Sequence, residues 1–122
     1  MSALRVVVVD DIAEIRRLIG LLLADAGHRV VGEAADGLAG VAVVRSHSPD
    51  LVIMDWQMPE MDGVEATRRI CERSPGMRIV AFSSASDPGI RAAFLEAGAI
   101  AYHDKSDIAG LEASVARVAA LA

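Results

Sequence analysis

Four consecutive valines, Val6–Val9, constrain this chain more than any other feature, because the run is apolar at every position. A strand patterned this way has to be covered on both faces, as in a parallel sheet sandwiched between helices. Leu51–Met54 and Ile79–Phe82 repeat the pattern, while Arg29–Glu33 and Ala99–His103 are mixed and suit the edges of a sheet. Between these blocks the period changes to that of a helix. Ile12, Ile15, Leu18, Ile19, Leu22 and Ala26 share one face, with Glu14, Arg16, Arg17 and Asp25 mostly off it, and Gly27 stops the segment. Further helices are predicted at Gly37–His47, Gly63–Arg73, Pro88–Ala97 and Ile108–Leu121. Ser106 or Asp107 can cap the last of them, and Leu111, Val115 and Val118 form its apolar stripe. Strands alternating with helices predict an α/β fold, a doubly wound five-stranded parallel sheet with five helices. With the two mixed strands at the edges, the strand order is 2-1-3-4-5, which is flavodoxin-like.

Length and composition agree with that architecture. The 122 residues fit one domain spanning 1–122, and 53% hydrophobic residues suffice for its core. Aromatic residues make up only 3%, so aliphatic side chains must fill that core. A formal net charge of −5 argues against direct nucleic-acid binding, which needs a basic face against the phosphates. The single cysteine, Cys71, excludes a disulfide framework and any multi-cysteine metal site. No apolar run approaches the ~20 residues of a bilayer span. Met1–Arg5 leads straight into the first strand without a signal-peptide pattern. These features predict a small, soluble, cytoplasmic domain with no membrane contact.

Ligands of an open parallel sheet bind beyond the carboxyl ends of its strands, so the residues that follow each apolar block carry the chemistry. Asp10 and Asp11 follow the first strand and Asp55 the third; Ser83 and Ser84 end the fourth, and the fifth runs through Tyr102 towards Lys105. Three carboxylates at one rim repel one another unless a cation compensates. With oxygen ligands only, Mg²⁺ is the natural occupant, bound by one or two carboxylates while keeping several waters. A carboxylate beside such a cation can attack phosphorus and become an aspartyl phosphate. Lys105 and Ser83 would then bind the phosphoryl oxygens. Taken singly, each residue has a plainer reading. Asp10 or Asp11 could cap the first helix, Asp55 could belong to a turn, Ser83 could start a loop, and Lys105 could be a solvated charge. Their joint placement at four strand ends favours phosphoryl transfer to a carboxylate.

The chain resembles the response-regulator receiver domains of bacterial two-component signalling. The resemblance rests on Val6-Val7-Val8-Val9-Asp10-Asp11, Asp55-Trp56-Gln57-Met58-Pro59-Glu60-Met61-Asp62-Gly63, Phe82-Ser83-Ser84, and Gly98-Ala99 leading to Tyr102 and Lys105. It implies that Asp55 accepts a phosphoryl group from a histidine kinase or a small phosphodonor. It implies a Mg²⁺ site made by Asp11 directly, Asp10 through a bound water, Asp55 and the backbone carbonyl of Gln57. Ser83 would be the switch hydroxyl, Lys105 the ion-pair partner, and Tyr102 the aromatic that turns inward with the switch. The surface carrying Ile90, Arg91, Phe94, Tyr102 and His103 would serve phosphorylation-dependent homodimerisation or an effector contact. Such a domain is not an enzyme in the turnover sense, since it catalyses only its own phosphorylation and dephosphorylation.

The sequence departs from the family pattern in places. Ser106 stands where many receivers carry a proline in a cis bond; without proline a cis bond costs roughly 3 kcal/mol. Ser84 replaces a common alanine, and Gln57 and Ala85 occupy positions at which family members tune phosphoryl lifetime. Val30–Gly37 is similar to receivers that precede helix-turn-helix domains, whereas Asp55-Trp56 is similar to single-domain chemotaxis regulators, so the output stays open.

Rival functions fit less well. A flavodoxin-like cofactor binder needs a Ser/Thr/Gly phosphate loop where Asp10-Asp11 would repel it. A phosphoester hydrolase needs a general acid and a cap, which the residues after Asp55 do not offer. A receiver-like module that has lost phosphorylation would not need the carboxylates, Ser83 and Lys105 together. Elsewhere, His28 and His47 read as solvated, His103 as an exposed strand residue, Cys71 as an inert thiol, and Trp56 as partly exposed beside the site.

Overall fold

The computed structural model describes residues 3–85 and 87–122; of the Met1–Arg5 lead-in, Met1 and Ser2 lie outside the described residues. The elements run β1 (Arg5–Val9), α1 (Ala13–Asp25), β2 (Arg29–Ala34), α2 (Gly37–His47), β3 (Leu51–Met54), α3 (Gly63–Arg73), β4 (Ile79–Ser83), α4 (Pro88–Ala97), β5 (Ala101–Asp104) and α5 (Ile108–Leu121). All the strand pairings are parallel and the sheet order is β2-β1-β3-β4-β5. The doubly wound architecture read from the alternation is the one observed.

Boundaries shift where tertiary hydrogen bonds decide them. β5 starts at Ala101 rather than Ala99 because α4 closes through Gly98, with φ +122°, and the Ala99 N–H returns to the Phe94 carbonyl at 2.9 Å. β4 extends to Ser83, which pairs with Asp104 on β5. Among the helices, α2, α3, α4 and α5 begin directly after Asp36, Asp62, Asp87 and Asp107, each of which accepts a backbone N–H of the first turn. Asp107, not Ser106, is therefore the cap of α5. Neither Asp10 nor Asp11 caps α1: its N-cap position is Ile12, with no side-chain bond.

Alternate residues of the central strands enter different cores. Val7, Val9, Val52 and Met54 meet α2, α3 and α4 through Val44, Ala66, Ile70 and Phe94. Val6, Val8, Leu51 and Ile53 meet α1 and α5 through Ile19, Leu23, Leu111, Val115 and Val118. This two-sided burial is what the uninterrupted apolar runs require.

The face predicted for α1 needs correction. The helix touches the sheet along Ile15, Ile19 and Leu23, spaced i, i+4 and i+8, while Ile12 and Leu18 are exposed and Ala26 lies in solvent. Packing selects this narrow ridge from the broader apolar stripe. His28 is buried rather than solvated, because its Nδ1 accepts the N–H of Leu4 at 2.9 Å across the start of β1. Among the described residues no helix is long and apolar enough to cross a membrane.

Candidate functional site

From β1 the chain crosses through α1 to β2 on one edge; from β3 it crosses through α3 to β4 on the other side. The residues that follow Val9 and Met54 therefore open into a shared crevice. This cleft, of about 340 Å³, is lined by Asp11, Asp55, Gln57, Ser83, Ala85 and Lys105. A roomier hollow of about 510 Å³, between α2 and α3, contains none of the residues singled out above. Chemistry rather than size marks the candidate cleft.

Asp10 is held from every side. Its N–H donates to the Ala34 carbonyl at 3.0 Å, and its Oδ1 accepts the Ile12 N–H at 2.9 Å. Its own carbonyl accepts Nη1 of Arg16 at 2.6 Å. Its buried Oδ2 lies 2.9 Å from Nζ of Lys105, an ion pair that supplies its one charged partner. Asp10 is 1% exposed, whereas Asp11 stands in solvent at the rim.

Asp55 directly follows β3 and is only 5% exposed. Its Oδ1 accepts the Trp56 N–H at 2.8 Å, and its Oδ2 accepts from Nζ of Lys105 at 3.2 Å. Burial, and next the Asp10 charge, raise the Asp55 pKa above the usual carboxylate value, while Lys105 opposes both. Burial pulls the Lys105 pKa down, but Asp10 and Asp55 outweigh it and the net shift is upward. Lys105 thus remains a cation wedged between two buried carboxylates. Its loop needs no cis proline: every peptide bond among the described residues is trans, and the Lys105 N–H is anchored on the Ser83 carbonyl at 3.0 Å.

α3 begins against the acceptor segment. The Gly63 N–H donates to the Trp56 carbonyl at 2.7 Å, and a Cβ on Gly63 would fall inside the Asp55 carbonyl oxygen. Glycine is required there by close approach. Trp56 is half-buried against the α2–α4 core, beside the site as expected, and Gln57 is exposed at the cleft.

Ser83 is buried at the end of β4. Its Oγ accepts the Ala85 N–H at 3.2 Å. The Tyr102 hydroxyl donates to the Ala85 carbonyl, and its ring lies 5.8 Å from that of Phe94 at 48°. Burial raises the Tyr102 pKa. Phe94 is fully buried in the core, so it does not belong to the exposed surface assigned to it from the sequence.

His103 also departs from expectation: it is half-buried, with Nε2 2.6 Å from Ser114 Oγ and Nδ1 3.7 Å from Asp107 Oδ2. Burial lowers its pKa and Asp107 opposes that. Because Ser114 is buried inside α5, this arrangement anchors β5 to α5 and offers no accessible nucleophile. Cys71 is half-buried with a thiol pKa raised by burial, so it is unreactive as read.

The structure thus assembles Asp10, Asp11, Asp55, Gln57, Ser83 and Lys105 at one cleft and places Tyr102 one residue away, across Ala85. Sequence reasoning missed Arg16 and its partner Glu33, whose Oε1 accepts from Arg16 Nε at 3.0 Å. The available signal was weak: a basic residue on the second turn of the helix that follows the paired aspartates.

One oxygen each of Asp10, Asp11 and Asp55 lies within 4.8 Å of the others, close enough for a shared metal ion. The donors are all hard oxygens, and Asp10 and Asp55 are both buried with the single cation Lys105 between them, which leaves the three-carboxylate cluster with excess negative charge. Both observations fit a small divalent cation.

Comparison with known proteins points to a single family. Residues 6–116 match the model described as the response regulator receiver domain. The chain is 39% identical over 95 residues to the chemotaxis protein CheY of Bacillus subtilis, covering 78% of this chain and 79% of that one. A LuxR-family two-component response regulator from Aurantimonas superposes with TM-score 0.91 at 34% identity, covering 98% of this chain and 86% of that one. CheY of Borrelia burgdorferi, solved in a complex with CheX, BeF3 and Mg²⁺, superposes with TM-score 0.84 at 25% identity, covering 93% and 84%. The chain spans only 30% of the protein-glutamate methylesterase/protein-glutamine glutaminase of Natronomonas pharaonis, which it matches at 41% identity. The fold, the strand-end carboxylates and these relatives agree: the chain belongs to the response regulator receiver domains of two-component signalling.

Proposed function

We propose that Asp55 accepts a phosphoryl group in a Mg²⁺-dependent reaction, and that residues 1–122 act as one receiver domain. The carrying observation is the placement of Asp55, buried at the end of β3 with Lys105 Nζ 3.2 Å from its Oδ2 and Asp10 in the same cluster. The phosphodonor is a phosphohistidine of a histidine kinase, or a small acyl phosphate. An Asp55 oxygen bonds to phosphorus as the donor bond breaks: with phosphohistidine the phosphorus–nitrogen bond, its electron pair leaving on the imidazole nitrogen, and with an acyl phosphate the phosphorus–oxygen bond, its pair leaving on the carboxylate.

Asp11, Asp55 and the Gln57 carbonyl would hold Mg²⁺, with Asp10 acting through a water. When bound, the cation neutralises charge on the transferring oxygens and orients them. The protein's own share is positioning. Lys105 pairs with a phosphoryl oxygen, and Ser83 turns its hydroxyl from Ala85 towards the new group. Tyr102, which grips the same Ala85, is displaced with it and alters the surface of α4, β5 and α5. That surface, with Ile90, Arg91 and His103, would contact an effector, an output domain or a second copy of the chain. The domain would turn over no substrate beyond its own phosphoryl group, and would work in the cytoplasm.

Intact mass after incubation with acetyl phosphate tests the reading. The expected result is a gain of one phosphoryl group that requires Mg²⁺ and disappears in Asp55→Asn. A gain that survives this substitution would move the acceptor elsewhere. Tyr102→Ala is expected to accept the group normally while losing phosphorylation-dependent association.

A further inference from the structure

Arg16 is a charged side chain spent on a backbone atom. Its side chain, 19% exposed, reaches from α1 to the segment after β1 and to β2 at once. Nη1 donates to the Asp10 carbonyl at 2.6 Å, and Nε donates to Glu33 Oε1 on the edge strand β2 at 3.0 Å. Glu33 pairs in register with Val8, two residues before Asp10. The fork therefore spans the end of β1 and the neighbouring strand.

The carbonyl it grips is the peptide that joins Asp10 to Asp11. Asp10 contributes a buried carboxylate to the acidic cluster, and Asp11 contributes its exposed one. The Asp10 carboxylate is held by the Ile12 N–H on Oδ1 and by Lys105 Nζ 2.9 Å from Oδ2, and the Asp10 N–H donates to the Ala34 carbonyl; none of these contacts touches the Asp10 carbonyl. Among the described residues, Arg16 is the side chain that bonds the carbonyl of this peptide. A planar guanidinium suits the task, because one fork can hold a carbonyl and a carboxylate together, which an ammonium cannot do with the same geometry.

We propose that Arg16, held by Glu33, is a positioning residue for the cation site: it sets the Asp10–Asp11 peptide so that both carboxylates face one ion. The inference rests on the Mg²⁺-dependent reading given above and adds a determinant of affinity outside the ligand set. Its sign separates it from simple electrostatics. Coulomb's law alone says that removing a cation from beside a metal site tightens binding of the metal. Positioning says that the removal weakens it, and outer partners of metal ligands commonly account for about 10–100-fold in affinity.

The test is Mg²⁺ titration of Trp56 fluorescence in the parent chain, Arg16→Met and Glu33→Gln, each checked for folding by urea denaturation. Arg16→Met keeps the aliphatic stem and removes the donors, and its Kd is expected to rise roughly 10-fold or more. Glu33→Gln retains an acceptor for Nε and is expected to shift Kd by less than Arg16→Met does. A folded Arg16→Met with a Kd within twofold of the parent, or a tighter one, overturns the proposal even if its stability has fallen. Should Arg16→Met not fold, Arg16→Lys decides: a Kd at least threefold weaker is expected, and an unchanged one overturns the proposal. Failure of the underlying reading looks different, since the parent itself would then show no saturable Mg²⁺ response.

Discussion

Ser83 and Tyr102 grip opposite ends of the same residue. The Ser83 hydroxyl accepts the Ala85 N–H at 3.2 Å, while the Tyr102 hydroxyl donates to the Ala85 carbonyl. The two side chains come from adjacent strands, β4 and β5, and Ala85, which both of them hold, lines the cleft. A Ser83 hydroxyl that rotates towards Asp55 must surrender the Ala85 N–H, and Tyr102 feels the loss through the carbonyl. In a double-mutant cycle, Ser83→Ala and Tyr102→Phe are expected to couple by about 0.5 kcal/mol or more. Urea unfolding of the four proteins measures this, and additivity to within about 0.3 kcal/mol would disconnect the pair.

Gly63 is where backbone approach leaves no room. Gly63→Ala would drive a methyl into the Asp55 carbonyl, and is expected to cost about 1–3 kcal/mol with loss of phosphoryl acceptance at Asp55. Gly76→Ala serves as the control. Nothing lies within 4 Å of its added carbon, so its stability should stay within about 0.5 kcal/mol of the parent.

Asp55 also predicts a pH signature. Its folded pKa is raised by burial and by Asp10, so the folded chain binds this proton more tightly than the unfolded one. The corresponding stability is fully present below the ordinary value of 3.8 and is lost as pH rises through the folded pKa. Replacing the carboxylate therefore relieves a cost that exists at neutral pH only. Asp55→Asn is expected to be more stable than the parent near pH 7, with the gap closing in acid. Urea midpoints at both pH values check the sign.

His28 carries a structural duty that its sequence context hides. Its Nδ1 is the acceptor for the buried Leu4 N–H, so His28→Leu keeps apolar volume but orphans that donor. The expected cost is about 1–3 kcal/mol by chemical denaturation. His47→Leu, at an exposed helix end, should change stability by less than about 0.5 kcal/mol.

The fold was legible because its signals are local. Val6–Val9, Leu51–Met54 and Ile79–Phe82 announce two-sided burial within four residues each, whereas sequence reasoning missed the aspartate caps of α2, α3 and α4 and leaves that of α5 open between Ser106 and Asp107. The carboxylates, Ser83 and Lys105 were legible for the same reason, since parallel strands deliver whatever follows them to one rim.

Tertiary structure decided what depends on residues far apart in sequence meeting at atomic distance. The ridge Ile15–Ile19–Leu23 was chosen from a wider apolar face by the shape of the sheet and α5. Phe94 entered the core because Tyr102 and β4 lie over it, and His28 found Leu4 because β1 and the start of β2 run side by side. Arg16 is the sharpest case. Its sequence position says only that it is a polar residue on a helix, while its function depends on a carbonyl six residues back and a carboxylate 17 residues ahead. Periodicity fixes which side chains can be buried; only packing fixes which lone pair each donor meets.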